Sequence, residues 1–249
     1  MDIKALNLEQ PNTITPAGKV NFNPVALKND FATIEAFKTL RTNLLFSSAD
    51  VKTVVITSTF ENEGKSTISA ELARGLAEIG KKTLLIDADM RKSVILKNNL
   101  KAHNIKGLSE LLSNQATTEE VLYNTQLPGF DVIFSGRFPP NPVELLSSSR
   151  LPSLLEEFKS FYDFIIIDTP PLNPIIDAAV IAAYCDGAIL VVGLGKAKIK
   201  ETTAAKEQLL KSGCKILGAV VNEPDSKHRG YPGKKYYSYY GDKKTGFKK

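Results

Sequence analysis

Short apolar runs alternate with helix-length amphipathic segments over most of the chain. Six such runs, each bounded by polar or turn-forming residues, predict strands at residues 53–57, 83–87, 131–134, 164–168, 188–192 and 216–222. Strands that are buried on both faces and separated by helices form a parallel sheet with right-handed crossovers. The pattern therefore predicts a three-layer α/β domain with a mostly parallel central sheet over about residues 31–226.

Three segments have the spacing of amphipathic helices. Apolar residues recur every three or four positions over residues 31–46, and the opposite face carries Glu35, Lys38 and Arg41. A second apolar stripe runs from Ile68 to Ile79, and a third helix is expected over residues 201–211, ended by Gly213.

The two ends of the chain lack this periodicity. Residues 1–30 are polar and contain three prolines, which is typical of an extended or poorly ordered arm. Residues 227–249 contain seven lysines, one arginine and one aspartate, a net charge of +7 in a chain whose total is +5, so the rest carries −2. A domain without its own basic excess is not expected to bind nucleic acid.

Composition narrows the class of protein further. The chain has 249 residues, 43% of them hydrophobic, which is enough for one domain with a sizeable core. It shows no bilayer-length apolar run and no signal-peptide pattern, so we expect a soluble cytoplasmic protein. The two cysteines and two histidines do not have the spacing of metal ligands, so we do not expect a zinc site or Cys/His catalysis.

A phosphate-binding loop is predicted between the first strand and the next helix. Backbone N–H groups and the helix dipole converge on a bound phosphate at such a place. Gly64 allows close approach, Lys65 can reach the β- and γ-phosphates, and the Ser66 hydroxyl can coordinate Mg²⁺. Thr59 stands where the usual pattern has its first glycine. The loop residues expected to bind nucleotide are Thr59, Glu61, Asn62, Glu63, Gly64, Lys65, Ser66 and Thr67.

Three aspartates follow predicted strands at the edge where a nucleotide would bind. Asp87 and Asp89 end the second strand, and Asp168 ends the fourth. Each alone could be a helix cap or a turn residue. Together they could orient Mg²⁺ with its water and accept a proton from an attacking hydroxyl.

These residues resemble a known family, the bacterial tyrosine kinases. The segment at residues 87–91, Asp-Ala-Asp-Met-Arg, is similar to the Walker A′ motif of those kinases and of the related septum-site and partition ATPases. The ATPases carry a signature lysine at the position of Phe60, and this chain lacks that lysine, as the kinases do. Residues 139–146 are similar to the family's Pro-Pro-Asn-Pro-x-Glu-Leu-Leu signature, and the chain closes with a tyrosine cluster.

The resemblance implies a P-loop NTPase fold and an ATP-dependent protein tyrosine autokinase with Mg²⁺. The implied catalytic residues are Lys65, Asp87, Asp89 and Asp168, and the implied metal-binding residues are Ser66, Asp87 and Asp168. Our first candidate for the base is Asp89, with Asp87 next. Asn222 is implied to read the adenine, while Arg91 either binds phosphate or pairs with a nearby carboxylate.

The tail is interpreted as a set of phosphoacceptors. Five of the eight tyrosines lie within ten residues, at Tyr231, Tyr236, Tyr237, Tyr239 and Tyr240. Without the upstream motifs, we would prefer to interpret the segment as an aromatic tail that stacks on nucleic-acid bases or on another protein. Five phosphates at about −1.5 to −2 each would cancel or reverse the tail's charge, which is a plausible assembly switch.

Family resemblance also implies partners. The segment Glu35 to Arg41 is similar to an oligomerisation motif, Glu-x-x-Arg-x-x-Arg, with Lys38 in place of the first arginine, and implies a homo-oligomer in the form of a ring. The kinases act in capsule or exopolysaccharide synthesis and export. A chain without a membrane span resembles the stand-alone form of these kinases, which a membrane-embedded activator recruits to the inner face of the membrane. The resemblance also implies a cognate tyrosine phosphatase that removes the phosphate from tyrosine.

Two other classes of function remain open from the sequence. A positioning ATPase would use Lys65, Ser66 and Asp168 to drive nucleotide-dependent assembly, without transfer to protein. A regulatory scaffold would bind ATP and offer its tail to another protein. Phe60, the Pro-Pro-Asn-Pro segment and the tyrosine cluster favour the kinase.

Overall fold

A computed structural model describes residues 16–23, 30–47, 49–99 and 105–222. In these ranges eight strands form one sheet. The strands are β1 (Gly18–Lys19), β2 (Thr53–Ser58), β3 (Thr83–Asp87), β4 (Leu122–Asn124), β5 (Phe130–Ile133), β6 (Phe164–Asp168), β7 (Gly187–Gly193) and β8 (Ile216–Asn222). The helices are α1 (Phe31–Ser47), α2 (Lys65–Glu78), α3 (Val94–Asn99), α4 (Leu108–Leu112), α5 (Thr118–Val121), α6 (Pro142–Leu146), α7 (Arg150–Lys159), α8 (Asp177–Ala182) and α9 (Ile199–Lys211).

The sheet is mostly parallel, as the sequence predicts. The strand order is β1-β4-β5-β3-β6-β2-β7-β8, and β4 with β5 is the antiparallel pair. Every residue of β2, β3 and β6 is buried, which explains the unbroken apolar run at the centre of each strand. One core cluster joins one sheet face to α7, α8 and α9, and a second joins the other face to α1 and α2. The three-layer α/β prediction is confirmed.

Two short strands were not predicted. Strand β1 has two residues and β4 has three, too few for an alternating pattern to be recognised. β1 lies within residues 1–30, the segment interpreted as an arm, and it pairs with β4 at the sheet edge. Beside it, Phe22 is 1% exposed and packs edge-on against Phe130 at a ring distance of 5.2 Å. This part of the segment therefore packs on the domain.

The edge of the sheet where β2 and β7 begin is held by one carboxylate. Oδ2 of Asp186 accepts hydrogen bonds from the backbone N–H groups of Lys52 and Thr53 at 3.0 and 2.8 Å and from the Thr53 hydroxyl at 2.8 Å. Its Oδ1 lies 3.0 Å from Nζ of Lys159, at the end of α7. The hydrogen bonds keep the pKa of Asp186 below its usual value despite partial burial. Asp186 thus ties two central strands and a covering helix together.

Within the described ranges, no helix combines the length and apolar character that a bilayer crossing requires. The tail at residues 227–249, with its five tyrosines, lies outside the described residues.

Candidate active site

The parallel sheet brings the predicted site residues to one edge. Asp87 and Asp168 are register partners at the ends of β3 and β6, and Asn222 pairs with Gly193 at the ends of β8 and β7. The loop after β2 leads into α2, whose first residue is Lys65. A cleft of about 240 Å³ opens at this edge, and it is lined by Glu61, Asn62, Gly64, Lys65, Ser66, Thr67, Asp89, Arg91, Lys92, Val94, Pro170, Pro171 and Ile175.

The phosphate-loop conformation depends on a glycine. Gly64 has a φ of 95°, in the left-handed region, immediately before α2. A Cβ at this position would lie 2.1 Å from Nδ2 of Asn222, which itself donates a hydrogen bond to the Glu63 carbonyl oxygen at 2.9 Å. The structure thus places Asn222 directly against the loop, although the two lie far apart in sequence.

A buried carboxylate fixes the loop from inside. Glu63 is 0% exposed, and its two carboxylate oxygens accept hydrogen bonds from Phe60 N at 2.7 Å and Gly193 N at 3.0 Å. The first bond closes the loop on itself, and the second joins it to the end of β7. The side chain of Glu63 thus shapes the loop, and the prediction that Glu63 binds nucleotide, through its backbone, stays a prediction.

Lys65 and Asp89 face each other inside the cleft. Nζ of Lys65 lies 3.6 Å from Oδ2 of Asp89, and both side chains are almost fully buried. Oδ1 of Asp89 accepts hydrogen bonds from the backbone N–H groups of Arg91 and Lys92, at 3.2 and 2.9 Å. The carboxylate is therefore oriented by backbone through one oxygen and presents the other to Lys65.

Asp87 and Asp168 form a deeper carboxylate pair. Burial, reinforced by the charge of Asp168, raises the pKa of Asp87 to about 8. Burial also raises the pKa of Asp168 to about 6, against the opposing effect of the Lys65 charge. The Ser93 hydroxyl and the backbone N–H of Asp89 donate to the two oxygens of Asp87. The Asp87 carboxylate is thus held in place on both oxygens.

One oxygen of Asp168 is without a partner. Its Oδ1 accepts a hydrogen bond from the Ser69 hydroxyl at 3.0 Å, whereas its Oδ2 is buried and makes no hydrogen bond within the protein. Among the described residues, no group of three or more His, Cys, Asp or Glu side chains could hold a metal by itself. Mg²⁺ bound with a nucleotide needs one or two protein ligands, because phosphate and water supply the rest. The unpartnered oxygen and the nearby Ser66 fit this mode.

Arg91 pairs with a carboxylate, one of the two alternatives that the sequence left open. Its Nε and Nη2 donate to the two oxygens of Asp177, at 2.8 and 3.0 Å, and Asp177 is 0% exposed. This two-bond contact ties the loop after β3 to the start of α8. No sequence signal marked Asp177, since it lies 86 residues from Arg91.

Two lysines that the sequence analysis did not select flank the loop. Nζ of Lys92 lies 2.6 Å from Oε2 of Glu61 across the mouth of the cleft, and both side chains are exposed. Lys196, after β7, donates a hydrogen bond to the Asn62 carbonyl oxygen. On the strand side of the loop, Thr59 is buried and its hydroxyl has no hydrogen-bond partner.

The residues of the predicted oligomer motif lie away from the cleft on α1. Lys38 and Glu35 form an exposed ion pair at 2.7 Å. Nη1 of Arg41 donates to the Gly75 carbonyl oxygen of α2 at 2.9 Å. Arg41 is thus engaged within its own chain.

Known proteins are similar to this chain in sequence and in fold. A family model described as an AAA domain matches residues 51–198. The tyrosine-protein kinase CpsD of Streptococcus agalactiae is 44% identical over 191 residues, which are 77% of this chain and 83% of that protein. The tyrosine-protein kinase YwqD of Bacillus subtilis is 40% identical over 212 residues, 84% of this chain and 86% of that one. Among solved structures, the kinase domain of the Escherichia coli tyrosine kinase ETK superposes with a TM-score of 0.75 at 33% identity, covering 92% of this chain and 89% of that domain.

Proposed function

The chain belongs to the bacterial tyrosine kinases, and on this premise we propose that it transfers the γ-phosphoryl group of ATP to tyrosine hydroxyls, including those of its own tail. The observation that carries the proposal is the buried pair formed by Lys65 and Asp89, 3.6 Å apart in the cleft. Such a pair supplies a cation for phosphate and a carboxylate for the incoming hydroxyl at one place.

The strand order, with the adenine role proposed for Asn222, supports one direction for the bound nucleotide. Asn222 lies on β8 at one side of the loop, and the aspartates lie on β6 and β3 at the other. In this proposal the adenine ring lies toward Asn222, and the γ-phosphate lies toward Asp89. Nδ2 of Asn222 already donates to the loop, so its carbonyl oxygen is the group left to accept a hydrogen bond from the amino group of adenine.

Each residue then has a part in phosphoryl transfer. Lys65 and the N–H groups at the start of α2 bind the phosphates, and Ser66 and Asp168 hold Mg²⁺, which neutralises charge on the phosphate oxygens. The hydroxyl of the acceptor tyrosine, whose pKa is about 10, gives its proton to Oδ2 of Asp89. Asp89 is preferred over Asp87 because Asp89 lines the cleft, while both oxygens of the fully buried Asp87 accept hydrogen bonds within the protein.

The biological setting is proposed from the same family membership. We place the kinase in capsule or exopolysaccharide synthesis and export, recruited to the inner face of the membrane by a membrane-embedded activator. We also propose that the chain forms a ring-shaped homo-oligomer whose interface uses Glu35, Lys38 and Arg41. A cognate tyrosine phosphatase would remove the phosphate. The exposed pair of Lys38 and Glu35 is available to another copy, since an exposed ion pair is weak.

The test is to map phosphate on the full chain by mass spectrometry after incubation with ATP and Mg²⁺, with and without a candidate activating peptide. We expect phosphate on residues 231–240 and none in the Lys65→Met variant. Release of ADP and free phosphate with every tyrosine unmodified, even with the activator, would reject the kinase and favour a positioning ATPase.

A further inference from the structure

The cations that line the cleft differ in how firmly they are held. They are Lys65, Arg91 and Lys92, and the partners of the first two are buried carboxylates. Nζ of Lys92 instead lies 2.6 Å from Oε2 of Glu61, and 60% of the Lys92 side chain and 52% of the Glu61 side chain are exposed. Water screens such a pair, so Lys92 can exchange its partner for a stronger anion at little cost.

The backbone of Lys92 lies beside the position proposed for the γ-phosphate. Its N–H donates to Oδ1 of Asp89 at 2.9 Å, and Asp89 is the carboxylate toward which we place that phosphate. The Lys92 side chain reaches from there across the mouth of the cleft to the phosphate loop. Lysine binds phosphate as a point charge on a flexible stem, so Nζ can turn from one anion to another while the backbone stays in place.

The phosphate loop supplies no cation of its own before Gly64. Residues 58–64 contain two glutamates and neither lysine nor arginine. Glu63 is buried and binds backbone N–H groups, whereas Glu61 is exposed and lines the cleft. An unpaired Glu61 would repel an incoming triphosphate. A terminal phosphate, with a charge of about −1.5 to −2, is in turn a stronger partner for the Lys92 ammonium group than one carboxylate is.

We propose that Lys92 is a second phosphate-binding cation, which leaves Glu61 and binds the γ-phosphate of ATP when the nucleotide enters the cleft. This inference rests on the proposed function and on the nucleotide direction proposed with it. ADP ends at the β-phosphate, which in this arrangement lies at Lys65 and the start of α2, so ADP does not reach Lys92. The contact therefore makes the cleft prefer ATP to ADP. After transfer the ammonium group returns to Glu61, which favours release of ADP.

The first experiment measures nucleotide binding without catalysis. Isothermal titration calorimetry gives the Kd of the full chain for Mg²⁺-ADP and for a non-hydrolysable ATP analogue with Mg²⁺. Lys92→Gln removes the charge but keeps the backbone N–H that holds Asp89. We expect the Kd for the ATP analogue to rise about tenfold and the Kd for ADP to rise by less than about threefold. Equal rises for the two nucleotides would overturn the proposal.

Lys106→Gln is the matched control. Lys106 forms an exposed ion pair with Glu120, as Lys92 does with Glu61, but neither Lys106 nor Glu120 lines the cleft. The variant loses the same charge, so it reports how net charge alone affects nucleotide binding. We expect both Kd values to stay within about twofold of those of the native chain, because salt screens distant charges.

A double variant separates phosphate binding from mere neutralisation of Glu61. If Lys92 only neutralised Glu61, its removal would have no effect once residue 61 is uncharged. We expect Glu61→Gln alone to lower the Kd for the ATP analogue about threefold, because Lys92 no longer has to leave a carboxylate. Adding Lys92→Gln to that variant should then raise this Kd at least about tenfold. A double variant with the same Kd as Glu61→Gln would reject the phosphate contact.

The phosphate contact of Lys92 and the kinase activity can be rejected separately. A native chain that produces no phosphotyrosine contradicts the kinase, whatever the Kd values are. A native chain that phosphorylates its tail, but whose Lys92→Gln variant distinguishes ATP from ADP as well as the native chain does, remains a kinase in which Lys92 does not bind the γ-phosphate.

Discussion

Two aspartates that are two residues apart end up in different environments. Asp89 borders the cleft with one oxygen toward Lys65, whereas Asp87 is completely buried and has a raised pKa of about 8. Asp87 is the last residue of β3, whereas Asp89 lies in the loop that follows and lines the cleft. The sequence left both as candidate bases, and the geometry favours Asp89.

Asp89→Asn tests that preference. Asparagine keeps a carbonyl oxygen that can accept the hydrogen bonds from the backbone of Arg91 and Lys92, so we expect the loop to keep its shape. It cannot take the acceptor's proton, and we expect kcat for tyrosine phosphorylation to fall by about 10²- to 10⁴-fold. ATP affinity should be unchanged or tighter, because a negative charge near the γ-phosphate is removed. A variant that retains kcat within threefold would place the proton acceptor elsewhere.

At the scale of the elements, the phosphate loop is a short segment stabilised by its neighbours. Glu63 binds the N–H groups of Phe60 and Gly193, and Asn222 binds the Glu63 carbonyl oxygen. The loop between β2 and α2 is therefore joined to the ends of β7 and β8. This arrangement couples the loop to the end of β8 at Asn222, where we propose that the adenine binds.

Glu63→Ala should destabilise this joint. The substitution leaves two backbone N–H groups without their acceptor, which costs about 1–3 kcal/mol for each group that stays buried. We expect a lower free energy of unfolding in urea and weaker ATP binding, with Glu63→Gln between the variant and the native chain because it keeps one acceptor oxygen. Glu61→Ala is the matched control for the unfolding measurement, since it breaks only an exposed ion pair with Lys92 in the same loop and should leave the free energy of unfolding nearly unchanged. Equal losses from Glu63→Ala and Glu61→Ala would contradict the role of Glu63.

The elements that the sequence predicted are those with a strong pattern of their own. The six predicted strands match the observed ones within one residue at each end, and the apolar runs of the five that precede β8 reflect their burial. Strand β4 could not be predicted, since its three residues gain their conformation from pairing with β5 and β1. The site residues differ in the same way. The phosphate loop and the aspartates could be predicted because each directly follows or ends a predicted strand, whereas Asp177 contacts Arg91 only because the fold brings the two together.

For the whole molecule, the buried carboxylate pair makes stability depend on pH. Burial raises the pKa of Asp87 to about 8 and that of Asp168 to about 6, while an unfolded aspartate has a pKa of about 3.9. Between these values the folded chain binds more protons than the unfolded chain. The contribution of each group is therefore fully present below about pH 4 and is lost as the pH rises through its folded value.

Asp87→Asn should remove most of this dependence. Asparagine does not titrate, so the difference in free energy of unfolding between variant and native chain should shift in favour of the variant as the pH rises from 5 to 8. Urea unfolding at pH 5, 6, 7 and 8 measures this difference, and taking it between two otherwise identical chains cancels other groups such as Asp186, whose pKa is shifted the opposite way. A difference that stays constant with pH would show that Asp87 does not hold its proton in the folded state.

The contacts of Asp186 have a consequence for how such a protein can change over generations. They secure the beginnings of β2 and β7 and the end of α7 at the edge opposite to the cleft. The contacts that hold the strands together and the residues proposed for catalysis therefore lie at opposite ends of the same sheet. Substitutions in the loops around the cleft can then change the specificity for nucleotide or acceptor. They leave the contacts of Asp186 at the other end of the sheet unchanged, so the fold is retained.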